Sequence, residues 1–231
     1  MNVSVHFHVI TLFPEVCKAY TDASVLGRAQ KGRGAKRTIR VSYYNPRDYT
    51  KDKHRKVDDR PYGGGPGMVL QVEPILAAVA KALGRKGARA GRAKTKIILL
   101  SPRGKQFDRR YAARLARAQS DIVLIAGRYE GIDGRVKKIL RPEEVSVGPY
   151  TLMGGELPAL IVVDAVARHI AGVLGKGESL EETRAASGEV YTRPETFVYK
   201  GKKYHVPKAL LTGDHQEIEK WRAGRLSTGP A

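Results

Sequence analysis

Ser146-Val147-Gly148-Pro149-Tyr150-Thr151-Leu152-Met153-Gly154-Gly155-Glu156-Leu157-Pro158 is a glycine-rich loop that runs straight into a helix. Glycine suits a place where backbone must come close to a ligand, because it has no Cβ. Pro158 fits the first turn of the helix, where its missing N–H is harmless. From there Leu160, Val163, Ala167, Ile170 and Leu174 recur at helical spacing, which predicts a helix that ends near Gly175. Upstream, two more polar glycine-bearing loops, Ser101-Pro102-Arg103-Gly104 and Gly127-Arg128-Tyr129-Glu130-Gly131, follow short apolar runs at 96–100 and 121–126. A helical segment, 108–118, lies between those runs. This alternation predicts βαβ units and a mostly parallel sheet. Ligands gather beyond the carboxyl ends of such strands, so the three loops predict one composite site.

Further out, 3–13 reads as a buried strand ended by Pro14, 38–44 as a second strand and 73–83 as a helix. The run 57–68, with Gly63-Gly64-Gly65-Pro66-Gly67, reads as irregular. Beyond 175 the segment 176–190 is rich in Gly, Ser and Glu and reads as a linker. Asp214 followed by Glu217 then has the spacing of a capped helix start. The expected organisation is therefore a domain over 1–175, a linker over 176–190 and a small helical module over 191–231.

The 231 residues carry 42 Lys and Arg against 23 Asp and Glu, a net charge of +19. Twelve of the basic residues and only four acids fall between Arg28 and Arg60, and 84–96 adds six basic residues and no acid. Such charge displaces counterions from a phosphate backbone, which favours a nucleic-acid partner over a merely solvated basic surface. No apolar run reaches membrane-span length, and the start lacks a signal peptide's basic region and cleavage site. Cys17 is the single cysteine, which excludes an intramolecular disulfide, and no Cys/His cluster has zinc-ligand spacing. The expected location is the cytoplasm.

The three loops match neither the GxGxxG of a dinucleotide fold nor the GxxxxGK[ST] of a phosphate loop. Their backbone N–H and C=O groups suit a purine edge better than a phosphate chain. Asp164 and Arg168 stand four apart on one helix. They form either an ion pair worth about 0.3–0.5 kcal/mol or, on a helix that begins at the glycine loop, a cation beside a ligand or phosphate. Asp58 and Asp59 lie among Lys53, Arg55, Lys56 and Arg60, where a carboxylate either neutralises charge or accepts a hydrogen bond from a base edge.

Several runs together resemble the bacterial tRNA (guanine-N1)-methyltransferase family of the SPOUT superfamily. They include Leu12-Phe13-Pro14-Glu15, Pro46-Arg47-Asp48-Tyr49, the whole of 54–68 from His54 to Met68, Leu100-Ser101-Pro102 and Gly127-Arg128-Tyr129-Glu130-Gly131-Ile132-Asp133. Gly154-Gly155-Glu156-Leu157-Pro158, Asp164-Ala165-Val166-Ala167-Arg168, Tyr191-Thr192-Arg193-Pro194 and Gly213-Asp214-His215 continue it in family order. The resemblance implies an α/β fold whose parallel sheet carries a deep trefoil knot, with a small α-helical C-terminal domain that binds tRNA. It implies a homodimer with active sites at the interface, and neither a membrane nor DNA as partner. It implies methyl transfer from S-adenosylmethionine to N1 of the guanosine at tRNA position 37, just 3′ of the anticodon. The alternatives are another RNA target on the same fold, or a tRNA-binding protein with weakened catalysis.

On this resemblance the cofactor would lie against Leu100, Ser101, Pro102, Gly104, Gly127, Tyr129, Glu130, Gly131, Val147, Gly148, Tyr150, Leu152, Gly154, Gly155 and Pro158. The target would meet His54, Asp58, Asp59, Arg60 and Tyr62. Arg168 would stabilise charge at guanine O6, and Glu130 is the carboxylate to link with a magnesium ion (Mg2+). The chain departs from the family twice. Thr183 stands where the family has an acidic residue that acts as base, which makes Glu182 the expected replacement. Pro149 stands where the family commonly has Asp, which removes one N–H from the cofactor loop.

Overall fold

A computed structural model describes residues 5–32, 38–87, 94–118, 120–174 and 189–224. The chain divides into two compact units, 1–175 and 176–231. In chain order the first unit contains β1 (Val5–Ile10), α1 (Pro14–Thr21), α2 (Ser24–Lys31), β2 (Ile39–Tyr44), β3 (Asp58–Asp59), β4 (Val69–Leu70) and α3 (Val72–Gly87). It continues with β5 (Thr95–Gln106), α4 (Arg109–Ala118), β6 (Asp121–Ala126), α5 (Gly134–Leu140), β7 (Glu143–Ser146) and α6 (Glu156–Arg168).

Five strands form one parallel sheet in the order β2-β1-β6-β5-β7. Strands covered on both faces read as near-continuous apolar runs, and Ile122 to Ala126 is buried without a break. One face packs Val5, Phe7, Val9, Ile122 and Leu124 against α1, α2, α4 and α6, through Cys17, Leu26, Leu115, Val163 and Val166. The other packs Ile10, Leu99, Val123 and Ile125 against α3 and α5, through Ile75, Val79 and Val136. The chain leaves β5 for β6 on one side and then returns to β7 on the other, so connections diverge at β5 and open a crevice at its carboxyl end.

Four expectations change here. The first strand ends at Ile10 rather than at Phe13, because Phe13 is already the cap position of α1 and Pro14 its first helical residue. The last helix stops at Arg168 rather than near Gly175. A turn follows, with Ile170 N–H donating to Ala167 O at 3.0 Å and Gly172 at φ +85°. Ile170 still reaches the core from that turn, which mimics helical periodicity. The segment 57–68 is not wholly irregular, because Asp58 and Asp59 pair antiparallel with Val69 and Leu70. The run that begins at 96 continues to Gln106, and 101–104 bulge out of it, so that Leu100 and Lys105 both face Val145 of β7.

The second unit has α7 (His215–Gly224), opened by Asp214, whose Oδ1 accepts from Gln216 N at 2.8 Å. To that helix the structure adds an antiparallel hairpin, β8 (Thr196–Tyr199) and β9 (Lys202–His205). Among the described residues no helix is long and apolar enough to cross a membrane.

Candidate active site

A cavity of about 570 Å³ opens at the carboxyl ends of β5, β6 and β7. Its wall is built from the three glycine-bearing loops. The bulge contributes Leu100, Ser101 and Pro102; the loop after β6 contributes Gly127, Tyr129, Glu130 and Gly131. The segment after β7 contributes Val147, Gly148, Tyr150, Leu152, Gly154, Gly155 and Pro158. Gly104 is the exception among the cofactor residues expected from sequence. A Cβ there would meet the Val145 nitrogen at 2.3 Å, so this glycine seats the bulge against β7 and does not line the cavity. Pro149 is exposed and also lies outside the lining.

Gly155 explains how the loop becomes a helix. A Cβ would come within 2.5 Å of the Ala126 Cα, and the Gly155 N–H donates to Gly127 O at 2.8 Å. The glycine therefore lets backbone approach backbone and fixes the start of α6 on the end of β6. A buried polar network reinforces the joint. Glu156 is 3% exposed and accepts from Arg128 Nε at 2.9 Å and from Thr11 Oγ1 at 2.8 Å. Arg128 also lies over the Phe13 ring, with its guanidinium carbon 4.5 Å from the centroid. Arg128, Glu156 and Thr11 were not expected as site residues. Their partners lie 28 and 145 positions apart in sequence, and only an acid at the first turn of a helix hinted at Glu156.

The loop after β6 also ties down the segment expected to read the target. Glu130 N–H donates to Met68 O, Leu70 N–H to Gly131 O and Asp133 N–H to Leu70 O, each at 3.0 Å. Tyr129 takes a left-handed conformation at φ +59° between these bonds. Asp58 is half-buried in the β3–β4 pair, whereas Asp59, Arg60 and the fully exposed Tyr62 face solvent. His54 is exposed; its N–H and that of Lys56 both donate to Asp52, at 2.8 and 3.0 Å. The Lys56 and His54 amides hold the Asp52 carboxyl below the usual carboxylate range, against a smaller opposing effect of burial.

Arg168 is not in the cavity lining. It ends α6, and twelve residue steps of about 1.5 Å place it about 18 Å along the axis from Glu156. Asp164 accepts from Tyr20 Oη on α1 at 2.7 Å, a bond that raises the Tyr20 pKa. Beside this contact Val16 and Tyr20 of α1, with Leu157 and Ile161 of α6, leave apolar side chains exposed. Glu182 and Thr183, with most of the linker, lie outside the described residues.

Residues 5–228 match the family described as tRNA (Guanine-1)-methyltransferase TrmD. The chain belongs to this family. A tRNA (guanine-N(1)-)-methyltransferase of Pseudoalteromonas atlantica is 48% identical over 220 residues, covering 94% of this chain and 78% of the relative. The protein of the same name from Pectobacterium atrosepticum is 47% identical over 220 residues, with 93% and 81% covered. The crystal structure of tRNA (m1G37) methyltransferase from Aquifex aeolicus superposes with a TM-score of 0.76 at 35% identity, covering 97% of this chain and 90% of that one. In the tRNA (guanine-1)-methyltransferase family the methyl donor is S-adenosylmethionine. The cavity fits that donor in kind: its volume lies within the roughly 300–1,000 Å³ of small-molecule sites, and its walls combine apolar side chains with loop backbone.

Proposed function

We propose that this chain methylates N1 of the guanine just 3′ of the anticodon, tRNA position 37, in the cytoplasm. The observation that carries this reading is the convergence of the three glycine-bearing loops on one cavity in a chain of this family. S-adenosylmethionine, bound there, supplies an electrophilic methyl group on a positively charged sulfur. Leu100, Pro102, Leu152 and Pro158 present apolar surface to it, and the glycines let loop backbone come close to its purine edge.

Guanine N1 carries a proton at neutral pH. That proton goes to a base as the N1–C bond forms and the sulfur–methyl bond breaks, leaving S-adenosylhomocysteine. Glu182 is the residue proposed to accept it, and Arg168 the cation beside O6, where negative charge develops. Asp58, which the β3–β4 pair holds half-buried, is the proposed acceptor from a base edge, with His54, Asp59, Arg60 and Tyr62 as further proposed target contacts. The target base must leave its stack to reach the cavity.

The position of Arg168 at the far end of α6 favours a site shared between two copies, with the arginine serving the partner's cavity. The exposed apolar side chains on α1 and α6 supply a surface for that pairing. The trefoil knot belongs to the same reading, supported by the return of the chain after β7 to the end of β6 at Gly155. The hairpin and helix of the second unit would hold the anticodon arm. For magnesium, Glu130 offers one carboxylate, and among the described residues no group of three ligating side chains includes it. With a single protein carboxylate, a magnesium ion there would depend on waters and substrate oxygens for its other ligands.

The test is methylation of a tRNA transcript with labelled S-adenosylmethionine, followed by mapping of the product. N1-methylguanosine at position 37 is the expected result. Methylation at another nucleotide would favour a shifted RNA target, and cofactor binding without methylation would favour a tRNA-binding protein.

A further inference from the structure

Two histidines interrupt the apolar pattern of β1. Phe7 and Val9 turn toward α6, so His6 and His8 turn to the opposite face of the sheet, the one that carries α3. Asp121 opens β6 as the register partner of His6. His6 and Asp121 lie near the amino ends of their strands and His8 lies mid-strand, and none of the three lines the cavity at the carboxyl ends. His8 Nε2 is 3.0 Å from Asp121 Oδ1, and His6 Nδ1 is 4.0 Å from the same oxygen. The three ligand atoms lie within 4.8 Å of one another.

The far nitrogen of each ring is also held, in both cases from β2. His6 Nε2 meets Ser42 Oγ at 2.9 Å, and His8 Nδ1 meets Tyr44 Oη at 3.2 Å. Asp121 Oδ2 accepts from Ser120 Oγ at 3.0 Å. The rings lie with centroids 3.8 Å apart, tilted by 39°. Each of the three side chains thus turns one atom inward and has the other fixed by a hydroxyl. That is the outer-shell pattern by which metal-binding histidines and carboxylates are oriented.

We propose that His6, His8 and Asp121 bind a zinc-class divalent transition cation on the α3 face of the sheet, apart from the cofactor cavity. Bonds of about 2.0–2.2 Å to zinc place tetrahedral ligands about 3.4 Å apart. The observed separations of 3.0 and 4.0 Å from Asp121 bracket that spacing, and with all three atoms within 4.8 Å of one another, side-chain rotation has to close the remaining distance. The ion replaces the His8–Asp121 hydrogen bond. Neutral His8 shifts its proton to Nδ1, donates it to Tyr44 Oη and turns the Nε2 lone pair to the metal; water takes the remaining position. Two imidazoles and a carboxylate suit zinc, whereas magnesium takes oxygen ligands. Arg40, the register partner of His6 on β2, is exposed and is the cationic side chain that opposes the ion.

The test is titration of the chelator-stripped full chain with zinc chloride, in competition with a chromophoric chelator at neutral pH. One equivalent should bind and raise the melting temperature. His6→Ala and Asp121→Asn should each weaken binding at least about tenfold, the lower limit for loss of even an outer-shell partner. His205→Gln, in the second unit, should not. Ser42→Ala and Tyr44→Phe keep all three ligands and should also weaken binding, which covers the case in which a ligand variant fails to fold. S-adenosylmethionine affinity should be the same with and without zinc. Absence of a one-equivalent site would overturn the proposal. So would unchanged affinity in His6→Ala and Asp121→Asn, or, if those do not fold, in both outer-shell variants.

Discussion

Glu156 shows how one buried carboxylate can be structural inside a site that looks chemical. Arg128 and Thr11 occupy both of its oxygens, and a Cβ on Gly154 would meet Arg128 Nε at 2.4 Å. Glu156→Ala would leave Arg128 and Thr11 without their partner. It should cost about 3 kcal/mol of stability, the low end for a broken buried pair because Arg128 reaches solvent; chemical denaturation measures it. Arg168→Ala should behave in the opposite way. Folding and S-adenosylmethionine binding should be retained, while single-turnover methyl transfer falls by about 10²–10³-fold, the scale for one lost donor to developing charge. Near-normal transfer would return Arg168 to a structural role. At this scale the cavity wall was legible because glycine, serine and proline after apolar runs are local signals. Gly104 was misread because its reason is the Val145 backbone, and Arg128–Glu156 was missed because its partners are distant in sequence. The same distance hides the His6, His8 and Asp121 cluster, since Asp121 stands 113 positions from His8 in the chain.

Elements were legible where both sheet faces are covered. The run 121–126 is β6 from end to end, and the helix expected to stop at 83 breaks at Gly84, which has φ +57°. β7 went unseen because four residues, two of them glutamates, carry too little apolar signal to mark a strand. α5 was also unseen, because seven residues make barely two turns. It depends on its first turn, where Asp133 Oδ1 accepts from Arg135 N at 2.8 Å and both carboxylate oxygens meet the Arg135 guanidinium. Asp133→Ala should therefore cost about 1 kcal/mol, as for a lost helix cap. The Arg135 side chain, then its amide, hold the Asp133 carboxyl below the usual carboxylate range. The folded pKa is thus below the unfolded one. The stabilisation is present above the unfolded value, near 3.9, and is lost as pH falls through the folded value. Acid titration of wild type and Asp133→Ala should converge in that window, and parallel curves would exclude the cap as the cause.

At the scale of the molecule, the proposed function turns on charge and on assembly. With a net charge of +19, tRNA affinity should fall steeply with salt, each phosphate contact adding about 0.7–0.9 to the slope of log K against log salt. A flat profile in filter binding would assign the basic surface another purpose. Because α6 separates them, the cavity and Arg168 of one chain are proposed to belong to different active sites of a dimer. Subunit mixing tests it. Gly127→Val narrows the cavity without a backbone clash, since a Cβ there meets only Ile132 at 3.5–3.6 Å, and Arg168→Ala removes the cation. Each variant alone should be inactive. When the two are refolded together, half the dimers are mixed, and each mixed dimer holds one site with both an intact cavity and an intact Arg168. Methyl transfer should then recover to about a quarter of the wild-type rate. No recovery, with mixed dimers present by mass spectrometry, would contradict the shared site.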